Sequence, residues 1–269
     1  MPADYHTHTP LCRHAEGEPE AYVDAALRAG VTEYGISDHA PQLPEPFDDW
    51  RMNDAEMPDY FNWMERARVH AGERLALRAG LECDWLPGCE PWIRQLAARH
   101  DWDYLIGSVH YLAEASQLPW DFDNPKWLGR WDTLDLDALW TNYWQAYIAM
   151  AESGLFDILG HPDLVKKFAY VPAGDLARFY EPVIDAVAAS GCVIELNTAG
   201  WHKPCAECYP APRFLELACS AGIPLVISSD AHEPKHLGRD FARAIAVARA
   251  AGYRETVLFN QRQRRMEAL

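Results

Sequence analysis

Short apolar runs alternate with longer amphipathic stretches along the chain. The runs lie at 3–6, 31–37, 75–82, 103–110, 155–161, 192–197 and 224–229. Each is too short for a buried helix and reads as a strand. Between them, residues 18–30 begin with acids and end on glycine, as the helix dipole and C-cap prefer. The stretches 135–153, 174–190, 211–222 and 234–251 behave likewise, each stopping near a glycine. Repeated strand–helix alternation predicts an α/β fold with a parallel sheet. At 269 residues, closure of that sheet into one barrel is favoured over an open doubly wound sheet. No Gly-x-Gly-x-x-Gly or phosphate-loop lysine motif argues for a nucleotide fold. Residues 111–134 break the rhythm with Trp120, Trp127, Trp131, two prolines and several aspartates. They predict an extended, functional loop over one end of the barrel.

The polar residues are placed unevenly. His6 and His8 follow the first run and Asp38-His39 the second. Glu82 and Asp84 follow the third, His110 the fourth and His161 the fifth. Glu195 and Asn197 end the sixth, and Asp230 and His232 follow the seventh. In a parallel barrel these strand ends share one face, where active sites are built. His6 and His8, two apart on an extended segment, project to the same side and can chelate one cation. Imidazole with carboxylate suits Zn, Mn or Fe. A carboxylate such as Glu82 can bridge two cations. A lone histidine at a strand end is usually a hydrogen-bonded structural residue. Metal-competent groups at nearly every strand end are a different pattern, one that predicts two or three ions sharing ligands. His70, His100 and His236 lack this placement and read as ordinary histidines.

Composition narrows the partners. There are 40 acids and 24 bases, a net charge of −16, which disfavours nucleic acid as a partner. A small phosphorylated substrate is still compatible if metals supply positive charge. No apolar run reaches membrane-span length, and the N-terminus MPADYHTHTP has no secretory signal pattern. Seven cysteines give no disulfide framework, so a reducing cytoplasm is expected. The Cys205-x-x-Cys208 pair has no second half and is read as without function.

The motifs, taken together, resemble a known family. His6-Thr7-His8, Cys12-Arg13-His14-Ala15-Glu16-Gly17 and Ser37-Asp38-His39 resemble the polymerase-and-histidinol-phosphatase (PHP) superfamily. Gly80-Leu81-Glu82, the 106–112 segment, Gly160-His161-Pro162-Asp163-Leu164, Asn197-Thr198-Ala199-Gly200 and Ser229-Asp230-Ala231-His232 are similar to its histidinol-phosphate phosphatase branch. The similarity runs in order from residue 4 to about residue 250. It implies a distorted seven-stranded (β/α)7 TIM-like barrel, a single domain over 1–269, with three divalent metal ions. It implies that one ion takes His6, His8, Glu82 and Asp230. A second takes Glu82, His110 and His161, with Glu82 bridging, and the third takes His14, His39 and His232. All these positions hold the expected residue type. The implied activity is hydrolysis of L-histidinol phosphate in histidine biosynthesis, with Glu82 at the catalytic centre and Asp38 or His232 assisting the leaving alkoxide.

Phosphate clamps are expected among basic residues on the same face: Lys166, Lys167, His202, Lys203 and Arg239. His202 departs from the resemblance, which implies arginine there. Imidazole cannot match the bidentate fork of a guanidinium. Glu114 is the candidate partner for a substrate amine, and the Trp120–Trp144 region the candidate pocket wall. The alternatives are a phosphoesterase for another small ester or nucleotide, an amidohydrolase-like metal hydrolase, and a non-catalytic metal-binding module. Glu82, where amidohydrolases commonly carry a modified lysine, disfavours the second of these. The full ligand set disfavours the third.

Overall fold

The apolar runs pair as parallel strands, nearly in chain order. The computed structural model describes residues 2–114 and 117–269, with side chains described outside 113–119. Strand β1 (Glu33–Ile36) pairs in parallel with β2 (Ala76–Ala79), Glu33 opposite Ala76. A second sheet holds β3 (Glu82–Asp84) and β4 (Ile106–Ser108). Beyond the antiparallel hairpin β5 (Tyr111–Glu114) and β6 (Gln117–Asp121), it continues with β7 (Ile158–Leu159), β8 (Val193–Asn197) and β9 (Leu225–Ser228). Its order is β3-β4-β7-β8-β9, all parallel. Isolated parallel bridges join Asp4 to Tyr34, Thr7 to Ala231 and His39 to Glu82. The ladders stop short of a closed sheet. Residues of β1, β3, β4, β8 and β9 are buried throughout. This is why they read as continuous apolar runs rather than alternating ones.

The run at 75–82 is split in two by Gly80. A Cβ there would lie 2.5 Å from the Tyr104 ring, so the chain passes the aromatic wall only as glycine. The helices α1 (Pro19–Ala29), α2 (Met57–Ala71), α3 (Glu90–Ala97), the short α4 (Leu128–Trp131), α5 (Leu136–Glu152), α6 (Ala177–Ser190), α7 (Pro212–Ser220) and α8 (Phe241–Ala251) fill the intervening stretches. Gly30 closes α1 at φ 69°, capping Ala26 and Leu27 carbonyls. The expected helix at 234–251 begins instead as a 3-10 turn at Pro234–His236, with α8 starting at Phe241.

Two findings differ from the sequence pattern. The region 111–134 is not a simple loop: it forms the β5–β6 hairpin, a 3-10 turn and α4. Trp120, Trp131, Trp140 and Trp144 are buried in the apolar core and so form no pocket wall. The second is a terminal antiparallel hairpin, β10 (Glu255–Asn260) and β11 (Gln263–Ala268), past the range of the recognised motifs. Its Val257, Leu258 and Phe259 pack with Ala3, Tyr5, Tyr104, Ile106, Ile158, Val193 and Val226, forming a separate inner cluster. The Phe259 amide donates to the Tyr5 hydroxyl at 3.0 Å, tying the two chain ends.

Candidate metal centre

Glu82, the first residue of β3, lies at the focus of the site. It is 1% exposed, and five imidazoles surround its carboxylate. Oε2 lies 2.9 Å from His39 Nδ1, 3.3 Å from His6 Nε2 and 3.7 Å from His8 Nε2. Oε1 lies 2.9 Å from His161 Nε2 and 3.5 Å from His110 Nε2. The Ser108 hydroxyl donates to Oε1 at 2.7 Å. Gly160 permits this: a Cβ there would come within 2.5 Å of that hydroxyl. Asp230 Oδ1 approaches His8 Nε2 at 3.1 Å and His6 Nε2 at 3.9 Å. The rings of His8 and His232 stack at 4.0 Å, and those of His14 and His232 at 4.6 Å.

These groups aim at shared points rather than at one another. His39 Nδ1 and Glu82 Oε2 are close, yet both are buried without a hydrogen-bond partner, as are His6 Nε2 and His161 Nδ1. Orphaned buried polar atoms are costly. Donor atoms of His6, His8 and Glu82 lie within 4.8 Å of one another. So do those of His8, His39 and His232, and those of Cys12, His14 and His232. This donor set fits divalent cations, which would satisfy the orphaned atoms.

A second layer fixes the rings. Glu195 Oε1 accepts from His6 Nδ1 at 2.8 Å, and its other oxygen from the His161 amide at 2.7 Å. Asp84 Oδ1 accepts from His110 Nδ1 at 2.8 Å. His14 Nδ1 faces the Cys12 carbonyl at 2.8 Å, and His232 Nδ1 the Asp230 carbonyl at 3.0 Å. With Nδ1 engaged, Nε2 is left toward the centre. His161 and Asp230 have positive φ, 22° and 53°, an uncommon backbone state for non-glycine residues that concentrates at functional sites.

Electrostatics in the metal-free state are crowded. Burial raises the Glu82 carboxyl, but His6, His39 and His110 outweigh it and hold it well below the usual range. Burial opposes charge on His8 too, yet hydrogen bonds to Asp230 and Asp38 push it up to about 9. His110 is also pushed to about 9, burial being overcome by Asp84 and Glu82. His39 and His232 are driven well below the ordinary value by burial and by neighbouring imidazoles.

A cleft of about 710 Å³ opens over this cluster. Glu82, Asp230 and His14, His39, His110, His161 and His232 form its floor, and Lys167, His202, Lys203 and Arg239 face them. Arg239 and Lys203 have no side-chain ion pair or hydrogen bond among the described residues, and the Arg239 Nε is buried without a partner. Lys167 donates to Asp123 Oδ2 at 2.9 Å, and His202 Nε2 lies 2.6 Å from Asp240 Oδ2.

Three expected roles are corrected. Lys166 is 3% exposed and donates to Asp163 Oδ2 (3.1 Å), Glu207 Oε2 (2.6 Å) and the Cys208 carbonyl (2.8 Å). It fastens a loop and does not line the cleft. Asp38 is fully buried behind His8, 3.2 Å from its Nδ1, and accepts from the Thr9 hydroxyl and the His39 amide. It can orient His8 but does not reach the cleft. Trp120, Trp131, Trp140 and Trp144 are core and Trp127 is exposed, so the 120–144 region lines the cleft through Asp123, Asn124 and Pro125 rather than through its tryptophans. The Glu114 side chain lies outside the described residues.

Sequence reasoning missed Trp50 and His236, which line the cleft, whereas Asp123 lies in the region expected to wall it. Trp50 lies edge-on to His39 at 4.7 Å and stacks on Tyr111 at 5.8 Å. Its segment has no periodicity, so no sequence signal marked it.

The chain is similar to known proteins. A family model, the PHP domain, matches residues 4–199. The probable histidinol-phosphatase of Deinococcus radiodurans is 41% identical over 261 residues, covering 97% of each chain. The histidinol-phosphatase of Bacillus subtilis is 27% identical, covering 87% of this chain and 95% of that protein. The fold matches the crystal structure of histidinol phosphate phosphatase from Lactococcus lactis complexed with zinc, L-histidinol and phosphate. That match has a TM-score of 0.75 and 19% identity, covering 98% of both chains. With a family match over residues 4–199 and 41% identity across nearly its whole length, the chain belongs to the PHP domain family.

Proposed function

We propose that this chain is a metal-dependent phosphomonoesterase that hydrolyses L-histidinol phosphate to L-histidinol and phosphate. The observation that carries the reading is the Glu82 carboxylate among five imidazoles, beneath a cleft faced by unpaired cations. The substrate assignment is supported by the 41% identical relative.

The residues divide as the resemblance implies. His6, His8, Glu82 and Asp230 would hold one divalent ion, Glu82, His110 and His161 a second, and His14, His39 and His232 a third. Such ions ionise water near neutral pH and neutralise phosphate charge, which is how a −16 chain would hold a dianion. Zn, Mn and Fe all suit this donor set. Arg239 and Lys203 bind phosphate oxygens with cationic N–H donors. Lys167, held by Asp123, supports them. Asp38 holds His8 from behind, and His232, read as a ligand with Nδ1 on the Asp230 carbonyl, has no free proton to give, so neither serves as the acid for the leaving alkoxide.

The same reading takes residues 1–269 as one domain in which the seven parallel segments form a distorted barrel, joined at its seams by the isolated bridges. It places the protein in the cytoplasm, acting on a small molecule rather than on nucleic acid. Among the described residues, no helix is long and apolar enough to cross a membrane.

The experiment is phosphate release by the purified protein from a panel of esters. The panel includes L-histidinol phosphate, a nucleoside monophosphate and p-nitrophenyl phosphate, with elemental analysis of the same sample. L-Histidinol phosphate should be the best substrate, and chelation should abolish turnover. Silence on it alongside turnover of another ester would favour the second reading, a phosphatase for a different small ester. That reading draws on His202, which is turned to Asp240 where the resemblance implies arginine.

A further inference from the structure

Arg51 lies in a segment without any recognised motif, yet it is 3% exposed. Its Nη1 donates to Asp84 Oδ2 at 2.7 Å and to the Ala40 carbonyl at 3.3 Å. Its Nε donates to Asp48 Oδ2 at 2.7 Å. The guanidinium lies over the rings of Trp50 (4.5 Å) and Phe47 (5.1 Å), so it is held on its faces as well as at its edge. Asp84 is 2% exposed and uses its other oxygen for His110 Nδ1, at 2.8 Å. His110 then presents Nε2 to Glu82.

We propose that Arg51 is a positioning residue for the metal centre. Through Asp84 it fixes the ring of His110 with Nε2 facing Glu82. This rests on the reading of His110 as a metal ligand. An imidazole can flip about χ2 and exchange tautomers; an acceptor at Nδ1 removes both freedoms. Asp84 can serve as that acceptor only if its own carboxylate is held. Its donor atom lies within 4.8 Å of those of His39 and His110, so a rotated Asp84 would compete with them for the same space. The planar fork of Arg51 pins Oδ2 and Asp48 in two directions at once, which an ammonium cannot do. The same segment carries Trp50 to the cleft, so Arg51 ties that wall to the ligand shell.

The test uses the metal-loaded enzyme and the variants Arg51→Met, Arg51→Lys, Asp84→Asn and the Arg51→Met/Asp84→Asn double. Metal retention is measured by elemental analysis after dialysis against graded chelator. Hydrolysis is measured against added metal. Each single variant should weaken metal retention about 10–100-fold. Excess metal should restore much of kcat, a rescue that a merely structural defect would not show. The double variant should be no worse than the weaker single, because Arg51 acts through Asp84. A folded Arg51→Met protein with wild-type retention overturns the proposal, as does a double variant whose loss is the product of the two singles. If Arg51→Met fails to fold, Asp84→Asn and Arg51→Lys decide, and wild-type retention in either overturns it. A wild-type protein that binds no metal overturns the proposed function instead. Normal loading and turnover with unaffected variants overturns this inference alone.

Discussion

Replacing Lys166 by methionine separates two roles that the sequence alone left together. If Lys166 clamped phosphate, Lys166→Met would raise KM and leave the fold intact. The structure places its ammonium among Asp163, Glu207 and the Cys208 carbonyl instead. Methionine keeps most of the volume and removes the charge. Asp163 is fully buried, so its carboxylate would lose the one cationic partner it has among the described residues; breaking a buried pair from one side costs about 3–5 kcal/mol. The Glu207 arm adds at most about 1 kcal/mol, since that side chain is 41% exposed and water screens it. At roughly 2 °C per kcal/mol for a chain of this size, Tm should fall by roughly 6–12 °C. The loss should depend on pH. Burial raises the Asp163 carboxyl to about 7, against the pull of Lys166 and the Ala211 amide. A carboxyl raised in the folded state contributes stability at low pH that is lost as pH rises through the folded value. Removing Lys166 raises it further, so the deficit against wild type should be larger at pH 8 than at pH 6. The assay is thermal unfolding of the metal-loaded protein at both pH values, with KM measured in parallel. An unchanged Tm with a large rise in KM would refute the structural assignment and return Lys166 to the phosphate site.

Arg239→Ala should do the reverse. Loss of one charge-assisted hydrogen bond, about 1.5–3 kcal/mol, lowers kcat/KM roughly 10- to 150-fold with little change in Tm. Glu82→Gln removes the charge and one acceptor at the centre of five imidazoles; the purified protein should retain less metal and lose activity at least 100-fold, read by elemental analysis and phosphate release. Metal loading should release protons at pH 7, because His8 and His110 are pushed to about 9 without metal and must be neutral to ligate. Affinity should therefore rise with pH up to about 9, and titration calorimetry in buffers of differing ionisation enthalpy would detect the release. Cys205→Ser should keep its activity; a loss beyond about tenfold would give that cysteine a role it has not been assigned.

Much of the site was legible because of position along the chain. His39, Glu82, His110, His161, Asp230 and His232 each occupy or follow the end of an apolar run, and parallel strands bring such ends to one face. The residues behind them were less legible. Glu195 and Asp84 were marked as metal-competent, but only the hydrogen bonds to His6 and His110 show them as ring-orienting groups. Lys166 and Lys167 are adjacent and chemically alike. Yet Lys167 points to Asp123 at the cleft, while Lys166 turns inward to Asp163. A 3-10 turn at Leu164–Lys166 sets that difference, and no local pattern predicts it.

The sequence by itself determined the strand–helix alternation, the set of metal-competent residues and the family they resemble. These depend on periodicity and residue type, which local order preserves. Only the tertiary structure decided which lysine is buried, that Asp38 backs His8, that four of the five tryptophans between 120 and 144 fill the core, and that Trp50 and Arg51 reach the site. It also decided that the terminal hairpin packs against Tyr5. Each of these depends on contacts between residues far apart in the chain, and on which groups burial forces to find partners.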